Sequence, residues 1–383
     1  YGWAQTKSHG DALLKLYAEA RGRAAEYYGP SELRNDRWMA VNDVPERGRE
    51  WLAAQTPQFR GYLEAFADGI NAYGKAHPEA LSAASRKVLP VSAADVVTYA
   101  HRLFQFQYLA SPTIVDRLPA DAKEMETGGS NGWAIAPSRS QSGRTMMLMN
   151  PHLPWATGWS TYYEIQLSAP GVDLYGASQI GLPVLRFVFS DYLGFTQTVN
   201  SVNGVTFYRI AEQDGGYRLD GAIRSFQTKT KTLKVLQDDG AFATETVVVR
   251  STVHGPVVAT RDGKPIAMRV AGLDRPFGLE QYWKMATAHD FAGYEAAVSR
   301  LQVPSFNIIY GDRDGRIQYL YNGLVPRRTK GDFAYWTSVV PGDRSDNLWT
   351  DYLTYAELPK VTDPTGGVIQ NSNDPPWNAG WPA

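Results

Sequence analysis

Residues 128–137 read GGSNGWAIAP, and the character of the chain differs on the two sides of this stretch. The residues before Ser130 are charged and turn-forming, which is typical of an exposed connector. Trp133–Ala136 is apolar and strand-like, and it stops at Pro137. The stretch therefore marks a junction between two differently built halves, and Ser130 stands at the start of the second half.

The half before the junction has apolar residues at helical spacing. Helices are predicted over Asp11–Tyr28, Pro57–Tyr73 and Ser92–Tyr108. Ser92 is the predicted N-cap of the third helix, and Gly29-Pro30 ends the first, because glycine and proline both interrupt a helix. Residues 1–110 are thus predicted to form a helical region, and residues 111–129 an exposed linker.

The half after the junction is predicted to be rich in short strands separated by turns. Its candidate strands are Trp133–Ala136, Met146–Met149, Tyr162–Leu167, Leu185–Ser190, Phe195–Val199, Thr244–Arg250, Pro265–Val270, Asn307–Tyr310 and Ile317–Leu320. The last two flank Gly311–Gly315, which predicts a hairpin, and one helix is predicted at Phe291–Leu301. The fold class is therefore α+β, with residues 130–383 as a strand-rich body.

Composition excludes several classes of protein. The 383 residues include 38 Lys and Arg against 39 Asp and Glu, so a net charge of −1 gives no electrostatic basis for binding nucleic acid. The chain has no cysteine, which removes disulfides, thiolate nucleophiles and Cys-ligated metal sites. Nucleotide-binding glycine motifs are absent and the six histidines are scattered, so we expect no cofactor and no metal. No apolar run is long enough to predict a membrane span.

Residues 128–132 also fit G-x-S-x-G, the nucleophile elbow of serine esterases of the α/β-hydrolase type. An elbow needs a buried strand before its serine and a helix after it. Here a linker precedes Ser130 and a strand follows it, which disfavours the elbow and leaves such an esterase as an alternative. A non-catalytic chain that binds acyl groups is a second alternative.

A serine at the start of a strand, behind an exposed Gly-Gly linker, suits a different chemistry. If the chain is cut before Ser130, this residue carries its own base, because an α-amino group with an ordinary pKa of about 7.7–8.0 then lies beside the hydroxyl. The amine can take the hydroxyl proton directly or through one water. Gly129 permits the strained geometry in which the hydroxyl attacks the Gly129 carbonyl. An N→O acyl shift followed by hydrolysis would make that cut.

Five motifs resemble, in chain order, the penicillin acylase family of N-terminal nucleophile hydrolases. They are SNGWAIAPSRS at 130–140, LMNPHLPW at 148–155, GFTQTVN at 194–200, DRDGRI at 312–317 and QNSNDPPW at 370–377. Residues 17–29 resemble the light chain of that family. The similarity covers nearly all of the chain and is closest to the branch of acyl-homoserine lactone, aculeacin and cephalosporin acylases.

The resemblance implies a four-layer αββα sandwich, made when a zymogen splits itself into a light chain (residues 1–110) and a heavy chain that begins at Ser130. It implies Ser130 as the nucleophile, with its own amine as the base. The backbone N–H of Val199 and the side-chain amide of Asn373 would form the oxyanion hole. Asn371 is the rival donor, and Asn373 is favoured.

His152 matches the histidine that touches the nucleophile in this branch, where the penicillin G branch has glutamine. Leu153, Trp155 and Trp159 are candidate residues of the acyl pocket, although packing in the core is the simpler interpretation for them. Arg186 and Asp191 are expected at solvated ends of loops or strands.

The predicted function is an amidohydrolase (acylase) that cleaves a linear amide through an acyl-enzyme on Ser130. The favoured substrates are N-acyl-homoserine lactones, as in quorum quenching, or related aliphatic acyl amides. A β-lactam antibiotic of the penicillin or cephalosporin class is the rival. The expected partners are this small substrate and the two chains of one precursor, with no nucleic acid.

Further expectations follow from the same resemblance. The penicillin G branch binds calcium just after the oxyanion strand, and because 202–205 reads VNGV here, no such site is expected. A periplasmic or secreted location is implied. The family's opening strand does not precede Tyr1, and the chain stops at Ala383 before the usual end of the heavy chain, so we expect a trimmed product that is truncated at its C-terminus.

Overall fold

The computed structural model describes residues 1–118 and 129–381. Its α-helices are α1 (Gly2–Ala20), α2 (Ala24–Tyr28), α3 (Leu33–Val41), α4 (Val44–Ala54), α5 (Pro57–Ala76), α6 (Ala83–Arg86), α7 (Ala93–Leu103), α8 (Gly278–Ala286), α9 (Phe291–Val298) and α10 (Phe333–Thr337). A π-helical turn over Phe104–Leu109 continues α7. Seven of these helices, α1 to α7, precede residue 104.

The start of α7 shows how the sequence sets these helices. The Ser92 hydroxyl accepts a hydrogen bond from the Asp95 N–H, and the Asp95 carboxylate accepts one from the Ser92 N–H, which is a complete capping box. Ser92 is thus confirmed as an N-cap. The predicted helix over 11–28 is wrong at its start, which lies at Gly2, and it breaks after Ala20, where Gly22 has a left-handed φ of 62°. Its predicted end is confirmed, because α2 stops at Tyr28 and Gly29 is the C-cap.

The second half of the chain contains most of the strands. They are β1 (Gly129–Ile135), β2 (Met146–His152), β3 (Tyr162–Ala169), β4 (Val172–Gln179), β5 (Phe187–Ser190), β6 (Leu193–Thr198), β7 (Val205–Arg209), β8 (Glu212–Gln213), β9 (Gly216–Leu219), β10 (Ala222–Arg224), β11 (Gln227–Leu236), β12 (Phe242–Thr252), β13 (Gly255–Arg261), β14 (Lys264–Val270), β15 (Asn307–Asp312), β16 (Ile317–Tyr321), β17 (Val339–Pro341), β18 (Lys360–Thr362), β19 (Val368–Asn371) and β20 (Gly380–Trp381). The predicted hairpin is confirmed, since β15 and β16 pair around Gly315, whose φ is 100°.

The described strands form four sheets, which makes the fold a mixture of helices and several sheets. A four-stranded sheet has the order β2-β1-β19-β20, and a seven-stranded sheet has the order β18-β16-β15-β6-β5-β4-β3. Both are antiparallel throughout. The other two have the orders β11-β12-β13-β14-β7-β17 and β10-β9-β8.

The four-stranded and seven-stranded sheets pack face to face. Gly132 on β1 lies so close to β6 and β15 that a Cβ there would meet Thr196 at 2.8 Å and Ile309 at 2.9 Å. The opposite face of the seven-stranded sheet lies against helices, as the hydrogen bond from Gln197 on β6 to Tyr282 on α8 shows. This packing turns one face of β1 towards the seven-stranded sheet, and on the opposite face Trp133, Met146 and Leu148 are exposed.

The junction itself is only partly described. Residues 111–118 contain turns and a short 3-10 turn, Ile114–Arg117, and residues 119–128 lie outside the described residues. Gly129 already belongs to strand β1. The division into a helical region, a linker and a strand-rich body stays a prediction.

Candidate active site

Ser130 is the second residue of β1, an inner strand of the small sheet. Its neighbours are β2 on one side, where Ser130 faces Pro151 and Gly129 faces His152, and β19 on the other. The side chain is buried, and its hydroxyl donates a hydrogen bond of 2.6 Å to the carbonyl oxygen of Gly129. The hydroxyl therefore already lies against the peptide bond that the sequence analysis proposes to be cut.

Asn373 brings a distant segment to the same peptide bond. Its Oδ1 accepts a hydrogen bond of 2.7 Å from the Ser130 backbone N–H, and its Nδ2 donates one of 2.7 Å to the Val199 carbonyl. Its φ of 73° is left-handed, a conformation that asparagine tolerates better than most residues. Ser130, Val199 and Asn373, which the sequence analysis singled out together, thus meet at one place.

Asn371, the rival of Asn373, faces the interior. Its side chain is fully buried, and its Nδ2 donates to the Asp374 carbonyl at 3.0 Å. Its Oδ1 accepts from the Thr198 hydroxyl at 2.6 Å and from the Asn373 N–H at 2.9 Å. Asn371 therefore has its polar atoms occupied, whereas Asn373 is the asparagine that contacts Ser130.

His152 lies on the strand next to Ser130 but on the other face of the sheet. Residues that are directly opposite in an antiparallel pair point to the same face, so Pro151 shares the face of Ser130, and His152 shares the face of Gly129. The His152 side chain is exposed. Among the hydrogen bonds of residues 1–118 and 129–381, none joins its ring to Ser130.

The three candidate pocket residues have different surroundings. Leu153 is buried, and Trp155 is fully exposed in the loop after β2. Trp159 packs edge to face against Tyr108, with ring centroids 5.4 Å apart. Trp159 therefore contacts the π-helical turn that follows α7.

The expected solvation of Arg186 is wrong, because only 1% of this residue is exposed. Its guanidinium donates to the side-chain oxygens of Gln179 at 2.6 Å and Gln197 at 2.7 Å, and it lies 4.5 Å from the ring centroid of Phe306. Four aromatic rings surround this cation: Phe104, Tyr108, Tyr282 and Phe306. The sequence holds no local signal for this cluster, since its members come from six separate segments of the chain.

Buried polar residues that no sequence motif indicated lie beneath the site. Asn307 on β15 donates from Nδ2 to the Thr198 hydroxyl at 2.9 Å and to Asn371 Oδ1 at 3.1 Å, and its own Oδ1 accepts from the Tyr319 hydroxyl at 2.7 Å. Burial raises the pKa of Tyr319 above its ordinary value, so this hydroxyl stays protonated and donates. In the sequence, the sign of such a buried network is a polar residue, such as Asn307, within an otherwise apolar strand.

Neither a metal site nor a spanning helix is found in the described part of the chain. Within residues 1–118 and 129–381, no group of three or more His, Asp or Glu side chains is arranged to hold a metal ion. In the same ranges no helix combines the length and the apolar character that crossing a membrane requires.

The strand around Ser130 does not provide the context of a nucleophile elbow. An elbow places its serine in a sharp turn between a strand and a helix. Here Ser130 lies within β1, which continues to Ile135 and has an antiparallel neighbour on each side. The α/β-hydrolase alternative therefore lacks its structural requirement.

Comparison with known proteins places this geometry in a family. Acyl-homoserine lactone acylase PvdQ from Pseudomonas fluorescens is 27% identical over 96% of this chain and 53% of its own length. The protein of that name from Pseudomonas putida is 28% identical over 99% of this chain and 56% of its own length. A penicillin acylase 2 proenzyme from a Pseudomonas species is 24% identical over 69% of this chain and 34% of its own length. The chain spans about half the length of the PvdQ relatives.

The fold has a counterpart among solved structures. A thermostable penicillin G acylase from Alcaligenes faecalis superposes with a TM-score of 0.56 and 22% sequence identity, over 64% of this chain and 44% of that one. The family model described as penicillin amidase matches residues 1–383. Because that match includes the Ser130, Val199 and Asn373 segments that meet in the structure, the resemblance inferred from the motifs is confirmed, and the chain belongs to the penicillin amidase family.

Proposed function

We propose that this protein is an acylase that hydrolyses a linear amide through an acyl-enzyme on Ser130. The observation that carries the proposal is the meeting of three distant segments at the Gly129–Ser130 peptide bond: the Ser130 hydroxyl, the Asn373 amide and the Val199 backbone. Acyl transfer needs a nucleophile, a base and oriented donors for an oxyanion. The names of the relatives support an amide as the substrate.

The first step in this proposal is self-cleavage. The Ser130 Oγ attacks the Gly129 carbonyl carbon, the C–N bond breaks, and the hydroxyl proton moves to the departing nitrogen. Water then hydrolyses the resulting ester, leaving a carboxylate on Gly129 and a free amine and hydroxyl on Ser130. The Asn373 Oδ1, which accepts from the scissile N–H at 2.7 Å, holds the nitrogen in line during this step.

Turnover then uses the new amine of Ser130 as the base. The amine takes the hydroxyl proton while Oγ attacks the substrate carbonyl, and it passes that proton to the leaving amine as the acyl-enzyme forms. Water attacks the ester in the second half-reaction. The backbone N–H of Val199 and the Nδ2 of Asn373 would stabilise the oxyanion, which requires Nδ2 to turn away from the Val199 carbonyl that it contacts in the uncleaved chain.

His152 is proposed to approach the nucleophile once the chain is cut. In the uncleaved chain the strand pair β1–β2 ends with Gly129 opposite His152. Cleavage removes Gly129 from that position and opens the space beside the new amine. An imidazole there could donate a hydrogen bond to the Ser130 amine or hydroxyl.

The finer architecture is also part of the proposal. The outer face of the small sheet exposes three large apolar side chains on β1 and β2: Trp133, Met146 and Leu148. A contiguous apolar face of this kind favours a covering layer. We infer an αββα sandwich in which helices cover this face, with residues 1–110 as the light chain, 111–129 as the removed linker and a heavy chain from Ser130.

An aliphatic acyl chain is the proposed substrate group, as in N-acyl-homoserine lactones. Leu153 and Trp159 are proposed to contact it, and Trp155 could do so only if its loop moves, because its side chain is exposed. A β-lactam side chain is the second candidate, since the solved structural counterpart is a penicillin G acylase. We further propose a periplasmic or secreted location for the two-chain product.

Intact mass and N-terminal sequencing test the proposal together with Ser130→Ala. The wild-type protein should give two pieces, one beginning at Ser130, and should hydrolyse octanoyl- to dodecanoyl-homoserine lactones faster than penicillin G. Ser130→Ala should stay in one piece and be inactive. A Ser130→Ala protein that splits or turns over would overturn the assignment, and a faster rate on penicillin G would select the second candidate.

A further inference from the structure

We propose that Thr198, Asn307, Tyr319 and Asn371 form a positioning network that fixes the proposed oxyanion donors relative to Ser130. The inference rests on the proposed function for its catalytic consequence, and on the hydrogen bonds for its structural one. None of these four side chains contacts Ser130 through a described hydrogen bond. They act through the two segments that do meet there, at Val199 and Asn373.

The network is a continuous chain of buried hydrogen bonds. The Tyr319 hydroxyl donates to Asn307 Oδ1 at 2.7 Å, and Asn307 Nδ2 donates to both the Thr198 hydroxyl and Asn371 Oδ1. The Thr198 hydroxyl donates to Asn371 Oδ1 at 2.6 Å. All four residues have no measurable exposure to solvent.

Two members of the network, Asn371 and Asn307, contact the segments that carry the proposed oxyanion donors. Asn371 Oδ1 accepts the backbone N–H of Asn373 at 2.9 Å, which supports the left-handed turn that aims the Asn373 amide at Ser130. Asn307 Nδ2 also approaches the Val199 carbonyl, at 3.4 Å. Thr198 is the residue directly before Val199. The network thus holds the backbone on each side of the proposed oxyanion hole.

The network also crosses between the two sheets. Asn371 ends β19 in the small sheet, which carries Ser130, whereas Thr198, Asn307 and Tyr319 belong to the seven-stranded sheet. The hydrophobic effect is non-directional, so apolar burial alone does not specify the position of a polar atom. Directed hydrogen bonds in a buried setting fix a distance, and an unmet one is costly. The network therefore sets the spacing between the nucleophile and the Val199 segment.

Thr198→Val is the test, and Thr196→Val is its matched control. Both threonines lie on β6, both are fully buried, and alternation along the strand puts them on the same face. Within the described part of the chain the Thr196 hydroxyl has no hydrogen-bond partner, whereas the Thr198 hydroxyl donates to Asn371 and accepts from Asn307. The same isosteric change therefore removes a network member in one case and a spare hydroxyl in the other.

The expected result for Thr198→Val is a kcat about tenfold lower with KM unchanged, because misplaced oxyanion donors weaken transition-state stabilisation rather than substrate binding. Thr196→Val should keep the wild-type kcat. Asn371→Ala, which removes the central acceptor, should lower kcat about a hundredfold. Equal effects of the two threonine variants would overturn the inference, since loss of any buried hydroxyl would then explain them.

A second measurement does not depend on activity. Hydrogen–deuterium exchange should become faster in the peptide that contains Asn373 when Asn371 is changed to Ala, and should stay unchanged in strand β18, Lys360–Thr362. If the Asn373 peptide exchanges at the wild-type rate in Asn371→Ala, the positioning role is refuted. If it exchanges faster while the wild-type protein hydrolyses no acyl amide, the positioning role stands and the proposed function fails.

Discussion

The space between the two packed sheets has a polar end and an apolar end, and the two are built by different rules. At the polar end, near Ser130, buried amides and hydroxyls meet in a hydrogen-bonded network around Asn371. At the other end, Ala134, Ile309, Ile317 and Ile369 pack as a cluster of buried apolar side chains. The ring of Tyr319 belongs to the apolar cluster while its hydroxyl belongs to the network.

The apolar end mainly stabilises the sheet pair, whereas the polar end mainly fixes the positions of the atoms around Ser130. Apolar burial contributes roughly 25 cal/mol per Å² and is indifferent to direction, so the apolar end can stabilise the sheet pair without specifying the position of any one atom. The polar end gains little net free energy from each hydrogen bond, about 1 kcal/mol, but it fixes distances. Changes at the two ends should accordingly damage different properties of the protein.

After Ser130→Ala, the change Asn373→Ala should produce the largest effect on catalysis. It removes the side-chain donor of the proposed oxyanion hole, a loss that typically costs about 10²–10³ in kcat. The free energy of unfolding should change little by comparison, because Asn373 is only partly buried. Steady-state kinetics and urea unfolding of the same preparation check both expectations.

Asn373→Asp is the companion variant for that prediction. It keeps an oxygen to accept from the Ser130 N–H but has no amide nitrogen to donate. A kcat near the wild-type value in either variant would show that Asn373 is not a donor of the oxyanion hole.

Ile317→Ala should give the opposite pattern. Ile317 is fully buried at the apolar end, and shortening such a side chain to Ala typically costs about 2–5 kcal/mol of unfolding free energy. Because the polar end does not depend on it, kcat measured well below the unfolding temperature should stay near the wild-type value. A large fall in kcat without a change in stability would show that the two ends are not separable.

A change of pH should act on folding at a third place, away from the inter-sheet space. Burial, together with the Arg269 guanidinium, lowers the pKa of His254 from 6.5 to about 4 in the folded chain. Below pH 6.5 the unfolded chain therefore binds a proton that the folded chain does not, and stability falls as the pH drops from 6.5 towards 4. For this one group the loss is about 3 kcal/mol in total.

Unfolding midpoints measured across that pH range check the His254 expectation. The variant His254→Gln should flatten the dependence of stability on pH. The matched control is His77→Gln, since the His77 side chain is about half exposed and is therefore hydrated in both the folded and the unfolded chain. Identical slopes in wild type and His254→Gln would show that His254 does not contribute. The buried His101, whose pKa is lowered to about 3 by burial and by Arg47, should account for a remaining slope of the same sign.

The sequence predicted the elements at the polar end better than the contacts between them. Strand periodicity placed Phe195–Val199 and Asn307–Tyr310 close to their observed bounds, and the motifs selected Ser130 and Asn373. No local pattern could show that Thr198 and Asn371 share a hydrogen bond, because residues so far apart in the chain meet only through sheet packing. The network is therefore a property of the fold rather than of any motif.

Arg186, on the other face of the seven-stranded sheet, is a second case in which the sequence could not predict the contacts of a side chain. An arginine near a strand end is usually solvated, so the sequence favoured exposure. The structure instead surrounds it with aromatic rings and the side chains of Gln179 and Gln197. Those partners come from strands, helices and a loop, and their convergence makes burial of the charge acceptable.

Gly129→Ala should give the smallest effect, and it tests whether the polar end also serves the uncleaved chain. A Cβ on residue 129 would lie 2.6 Å from Asn373 Oδ1, closer than two such atoms can approach. The Asn373 amide must then move away from the Ser130 N–H, to which it is bonded at 2.7 Å. Self-cleavage should slow about tenfold, because the scissile nitrogen loses its acceptor while the hydroxyl keeps its place.

The time course of appearance of the piece that begins at Ser130, followed by intact mass, measures this rate. Gly61→Ala is the matched control, since a Cβ at residue 61 on α5 would meet no atom within 4 Å. If Gly129→Ala cleaves as fast as Gly61→Ala, the contact between Asn373 and the scissile peptide has no part in self-cleavage. The role of the polar end would then begin only after the chain is cut, when Asn373 is free to face the substrate.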